Sequence, residues 1–177
     1  MSLSRTALSR IALRAFVALS LVGLAGCGFR PLYGERSAAS VTAPELAAIQ
    51  IDSIPNREGQ LVRNNLLDKM QPRGMAAKPL YRLTVSVGIS RESLGVRIDE
   101  TATRGSLTMN ASYVLADMVS GDQIMTGNSR AVSSYNILDS DFANVISEND
   151  AIRRTATDLS EEIKTRVAIF LSSRKAR

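Results

Sequence analysis

Hydrophobic and polar positions alternate along the middle of this chain in a way that predicts a sheet. Tyr81, Leu83, Val85, Val87 and Ile89 share one strand face, with Arg82, Thr84, Ser86 and Gly88 on the other. Leu107, Met109, Ala111, Tyr113 and Leu115 form a second apolar face opposed by Ser106, Thr108, Asn110 and Ser112. Gly121-Asp122 marks a turn, and Ile124 to Tyr135 is a third, weaker strand. Strands with one polar side indicate an antiparallel sheet that faces water or a partner on that side. Ser90 to Arg104, rich in Arg, Glu, Gly and Thr, is either a long hairpin end or a mobile loop. Upstream, Ile49 and Ile51 make a short strand ended by Pro55.

Two segments change period from two to about 3.6. Asn56 offers an N-cap, and Leu61, Val62, Leu66, Leu67 and Met70 follow at helical spacing, which predicts a helix from about Arg57 to Met70. Gln71-Pro72-Arg73-Gly74 ends it. Ser147-Glu148-Asn149-Asp150 resembles a capping box, with Asp in place of Glu or Gln. Ile152, Ala156, Leu159, Ile163, Val167 and Phe170 then recur as one apolar stripe on a long helix. The order is β-α-β-β-β-α. It predicts an α+β two-layer sandwich, a four-stranded, mostly antiparallel sheet with two helices on one face.

The start of the chain reads as an address. Arg5, Arg10 and Arg14 are the charges before Cys27, and Ala15 to Leu24 is apolar apart from Ser20. Ten residues suit the apolar region of a signal peptide and are too few for a spanning helix of about 20. Leu24-Ala25-Gly26-Cys27 follows as a lipobox, predicting cleavage between Gly26 and Cys27 and acylation of Cys27, with an S-diacylglyceryl group and an N-acyl chain. A secretory signal with a buried free thiol and an uncleaved anchor helix are the competing readings. Segment length and the small residues before Cys27 disfavour both. Three units result: a signal at 1–26, an acylated tether at 27–45 and a domain at 46–177. The tether contains Pro31, Gly34 and Pro44 and would reach roughly 60 Å at full stretch.

Composition narrows the chemistry. Three of the 22 basic residues fall in the signal, leaving 19 against 17 acidic ones, so charge is no nucleic-acid signature. Cys27 is the single cysteine, and histidine is absent. Disulfides, thiol metal sites, most zinc sites and a Ser-His-Asp triad are thereby excluded. No cofactor is expected. A hydrolase using Ser with Lys or Asp would lack a motif such as Gly-x-Ser-x-Gly. Met109, Met118 and Met125 are expected to fill the core rather than bind metal.

Directly after Cys27 comes Gly28-Phe29-Arg30-Pro31-Leu32-Tyr33-Gly34. This opening resembles the lipopolysaccharide-assembly lipoproteins of LptE type in their alphaproteobacterial form. Arg57, Gly59-Gln60 and Arg63-Asn64 in the first helix are similar to that family, as are Asp150-Ala151 and Arg153-Arg154 in the last. The resemblance implies a non-enzymatic lipoprotein on the periplasmic side of the outer membrane. Such a protein plugs the lumen of an LptD-type β-barrel, assists its assembly and binds lipopolysaccharide. Gly28 after the cysteine is compatible with outer-membrane sorting. Polar strand faces suit a polar lumen. Arg91, Arg97, Arg104 and Arg130 are the candidate lipopolysaccharide contacts, since guanidinium holds phosphate and carboxylate well; each is otherwise an ordinary solvated charge. Phe29 and Tyr33 are expected against the barrel wall, their own domain or lipid. The alternative function is an accessory lipoprotein of another envelope lipid or solute transporter, which needs an apolar cavity between sheet and helices.

Overall fold

The computed structural model describes residues 44–96 and 102–175. All of them belong to the second of the chain's two units, Ala38–Arg177. A helical turn at residues 44–47 leads into β1 (Ile49–Ile51), followed by α1 (Asn56–Met70), β2 (Tyr81–Val96), β3 (Ala102–Asp117), β4 (Gln123–Asn136) and α2 (Asp141–Lys175). The sheet order is β1-β2-β3-β4. β1 runs parallel to β2, while β2–β3 and β3–β4 are antiparallel. The α+β, two-layer expectation holds, with the parallel β1 made possible by the α1 crossover.

Strand alternation sorts the residues as the sequence implies. Leu83 and Val85 of β2, Leu107, Met109, Ala111, Tyr113 and Leu115 of β3, and Ala131 of β4 are buried beneath the helices. Val62, Leu66 and Met70 of α1 and Ile152, Ala156, Leu159, Ile163, Val167 and Leu171 of α2 complete the core. Small residues let the helices close on each other. The buried Ser160 hydroxyl lies 2.6 Å from the Ala156 carbonyl and 3.2 Å from the Val62 carbonyl, so it links α2 to α1. The Lys69–Glu161 pair, at 2.8 Å, ties the same helices at their wet rim. At the end of α1 the buried Gln71 side chain donates to the Ile49 carbonyl and holds the edge strand.

Of the two readings of Ser90 to Arg104, the long hairpin end is the one found: β2 runs to Val96 and β3 starts at Ala102, with Arg91 paired to Leu107 and Leu94 to Arg104. Several other expectations need correction. The N-cap of α1 is Pro55, and Asn56 is the first helical residue at φ 67°. Asparagine tolerates that left-handed conformation better than most residues. Ser147–Asp150 caps nothing, because α2 already starts at Asp141. The Ser140 hydroxyl accepts from the Ala143 amide at 3.5 Å, and the Asn144 carboxamide makes two bonds, 2.6 and 2.8 Å, with the Leu138 backbone. Asn149 and Asp150 bond inside the helix, to the Val145 carbonyl and to Arg154. The cap-like polar run is equally good for pairs spaced by four. The stripe ends on Leu171 (2 % exposed), with Phe170 only half-buried. Met118, expected in the core, is exposed.

Candidate functional site

The face of the sheet away from the helices is a register-matched polar grid. Across β2, β3 and β4 its rows read Thr84–Val114–Thr126, Ser86–Ser112–Asn128, Gly88–Asn110–Arg130, Ser90–Thr108–Val132 and Glu92–Ser106–Ser134. Alternation alone would make this a solvated surface. Its relief makes it a candidate binding surface. A concavity of about 620 Å³ is lined by Ser86, Gly88, Asn110, Ser112, Asn128 and Arg130, with Glu162 and Arg166 of α2 at the β4 edge. A second, of about 310 Å³, continues it over Thr84, Val114 and Thr126. Gly88 creates the low point, since a Cβ there would meet nothing within 4 Å.

Aromatic cover explains why the other face of the same strands is closed. Tyr113 of β3 pairs with Gly127 of β4, and Tyr135 of β4 pairs with Gly105 of β3. A Cβ on Gly127 would fall 2.5 Å from the Tyr113 hydroxyl, so the buried ring lies directly over that glycine. The Tyr113 and Ser129 hydroxyls are buried there without a partner among the described residues. Hydroxyls buried this way destabilise the fold.

The candidate arginines are divided by the sheet. Arg91 points to the helix side, and its Nε donates to Glu148 Oε1 at 2.6 Å. Glu58 Oε1 lies 3.7 Å from Arg91 Nη2, so this guanidinium joins the start of α1 and the third turn of α2 to β2. Arg104 and Arg130 lie on the open face, with Asn136 and Asn110 opposite them, and make no ion pair among the described residues. They stand six positions apart in strand register, roughly 20 Å. Arg97, Cys27 with Leu24, Ala25 and Gly26, and the aromatic pair Phe29 and Tyr33 lie outside the described residues.

Sequence reasoning missed two apolar surfaces. Leu138 (49 % exposed), Phe142 (78 %), Val145 and Ile146 form one patch at the start of α2. The signal was present: from Ile152 the core stripe continues back through Asn149, Val145 and Phe142 at steps of three, four and three, past the assumed cap. The other surface lies at the opposite end of the sheet, where Met75, Leu80, Met118 and Val119 are exposed.

Chemically, the open face offers hydroxyls, carboxamides and guanidinium groups, a set of hydrogen-bond donors and acceptors suited to polar and anionic groups. No set of three metal-ligating side chains occurs among the described residues, and no described helix is long and apolar enough to cross a membrane. The resolved pKa shift is that of Glu161, whose carboxyl is held below its usual value by the hydrogen bond from Lys69 and by Lys164. It serves the helix–helix contact.

Comparison with known proteins bears on these surfaces. No curated protein matches the sequence. Among solved structures, a Caulobacter crescentus protein described as a lipoprotein is 26% identical; the likeness covers 76% of this chain and 97% of that one, with a TM-score of 0.64. The fold also matches a minor lipoprotein from Acinetobacter baumannii (16% identity, 68% and 90% coverage, TM-score 0.57). It matches rare lipoprotein B from Shewanella oneidensis as well (12% identity, 72% and 98% coverage, TM-score 0.54). The family model for LptE, lipopolysaccharide-assembly, matches residues 46–167, which takes in the core of both layers apart from Leu171, and the rows of the open sheet face. The chain therefore belongs to the LptE family of lipopolysaccharide-assembly lipoproteins.

Proposed function

We propose that this envelope lipoprotein is anchored through acylated Cys27 to the outer membrane on its periplasmic side. There it occupies the lumen of an LptD-type β-barrel and assists delivery of lipopolysaccharide through it. The observation that carries the reading is the open sheet face. A domain enclosed by a polar lumen must present polar surface to it, and a row-by-row Ser/Thr/Asn face does so. Its concavity, with Gly88 at the floor and Arg130 at the rim, has the donors for a phosphorylated sugar. Arg104 and Arg130 are the contacts this reading assigns to lipopolysaccharide. Arg91, engaged by Glu148 and Glu58, takes a structural role instead. No catalytic step is assigned to the chain.

The transporter-accessory alternative is less well supported. It calls for an apolar cavity between sheet and helices, whereas Leu83, Leu107, Met109, Leu159 and Ile163 fill that space at 0 % exposure. Purification of the acylated protein in mild detergent tests the proposal. Co-purification of an outer-membrane β-barrel is expected. Consistent recovery without any barrel, or with an inner-membrane transporter, would refute it.

A further inference from the structure

One end of the domain combines three features that the barrel reading does not use. The chain enters the fold there: the Ala47 carbonyl accepts from the Ala76 amide at 2.9 Å, and the Ala48 carbonyl from the Leu80 amide at 2.8 Å. The loop after α1 and the turn after β3 meet at the same end, since the Met118 amide donates to the Leu80 carbonyl at 2.9 Å. These segments expose Met75 (54 %), Leu80 (41 %), Met118 (38 %) and Val119 (86 %). Cations surround them. Arg73 and Lys78 are exposed and make no ion pair among the described residues. Arg174, near the end of α2, lies 3.8 Å from Asp117. Asp117 is also occupied by the turn, accepting from the Val119 amide at 2.9 Å, which leaves Asp122 as the exposed carboxylate of that turn.

We propose that this end is a lipid-docking face, on which the exposed Met75, Leu80, Met118 and Val119 seat in the headgroup region of a bilayer while Arg73, Lys78 and Arg174 meet anionic lipid. Apolar side chains ringed by Lys and Arg are the composition that binds interfaces of this kind. The opposite end differs: the segment Leu138 to Asp150 that carries its patch of Phe142, Val145 and Ile146 supplies no Lys or Arg of its own to meet anionic headgroups. Chain geometry favours the same choice. Sixteen residues separate Cys27 from Pro44. At full stretch that length of chain reaches at most roughly 60 Å, which bounds how far this end can stand from an anchor at Cys27. The docking does not require acylation and, with the domain in a barrel lumen, applies to an end that stands outside it.

The test uses the chain from Gly28 onward, which retains every core residue from Leu46 to Leu171 and carries no acyl group. We expect it to sediment with vesicles of phosphatidylglycerol and phosphatidylcholine, to bind pure phosphatidylcholine far less, and to be released by high salt. Each cation near an anionic surface contributes roughly fivefold in affinity, so Arg73→Glu combined with Lys78→Glu should weaken binding about 25-fold or more. Val119→Asp should weaken it too, whereas Phe142→Asp at the far end should not. That chain has no cysteine, so Val119→Cys and Phe142→Cys each place a single fluorophore. Lipid-borne nitroxide should quench the label at 119 and spare the one at 142. Equal binding to both vesicle types, full binding by the charge-reversed variant, or equal quenching at the two sites would overturn the proposal.

Discussion

Two glycines, Gly127 in β4 and Gly88 in β2, should respond oppositely to the same substitution. In Gly127→Ala the new methyl would lie 2.5, 2.6 and 2.7 Å from three atoms of the Tyr113 side chain. Ordinary carbon contacts are about 3.5–4.0 Å, so the overlap is near 1 Å. Tyr113 is 2 % exposed and packed under α2, so the ring has nowhere to swing. Overpacking of this kind costs about 1–3 kcal/mol. Replacing glycine in a strand returns roughly 0.5–1 kcal/mol of backbone entropy, leaving Gly127→Ala less stable by about 1 kcal/mol and at most about 2.5 kcal/mol. Gly88→Ala has the same entropic gain and no clash, because nothing stands within 4 Å of its Cβ position. It should therefore be neutral to about 1 kcal/mol more stable. Urea unfolding of the chain from Gly28, followed by circular dichroism, reads both. Tyr113→Leu should restore part of the Gly127→Ala loss, since it removes the atoms in the way. Equal effects of the two alanines, or a Gly127→Ala chain as stable as the parent, would refute the placement of Tyr113 over Gly127.

Other outcomes follow from the same structure. Cys27→Ala should leave the precursor uncut and unacylated, read by its mobility and by loss of labelled fatty acid; a processed, membrane-bound mutant would remove the lipoprotein anchor. Leu171→Ala should cost about 2–4 kcal/mol and Phe170→Ala clearly less, because Leu171 is the residue at the buried end of the α2 stripe. Glu161 has a lowered carboxyl pKa, so its contribution is present above the unfolded value near 4.5 and is lost as pH falls through the folded one. Its side chain is half exposed, which limits that contribution to under about 1 kcal/mol. The stability gap between the parent and Glu161→Gln should therefore close on acidification; a gap independent of pH would exclude the Lys69–Glu161 pair as its source. Charge reversal at Arg104 and Arg130 should weaken lipopolysaccharide binding in solution while leaving the urea midpoint unchanged.

The strand faces were legible because period two is a strong signal when one face is buried, as from Leu107 to Leu115. The helix stripes were legible for the same reason, up to their ends. Boundaries failed where local chemistry had two uses. Ser147–Asp150 suits a cap or a run of intrahelical pairs, and the choice was made upstream by Ser140 and Asn144, which close the turn around Leu138. Asn56 was expected to cap but instead bends the backbone through φ 67°. Arg91 could not be separated from Arg104 and Arg130 by composition. Only the register of β2 on β3 shows that Arg91 faces the helices and meets Glu148 and Glu58. The lipid-docking end was invisible for a different reason. Its four apolar residues come from two loops, and pairing across the β2 and β3 ends brings them together. The open-face concavity likewise depends on Gly88, Asn110 and Arg130 falling in one row.

The polar sheet face of this LptE-family lipoprotein is proposed to lie against a barrel wall and its lipopolysaccharide cargo. A photo-crosslinking residue placed at Asn110, which is exposed at the centre of that face, tests it in intact envelopes. An adduct with an outer-membrane β-barrel or with lipopolysaccharide is expected at Asn110. Adducts formed only with soluble periplasmic proteins, or no adduct from Asn110 while the protein remains folded and anchored, would contradict it.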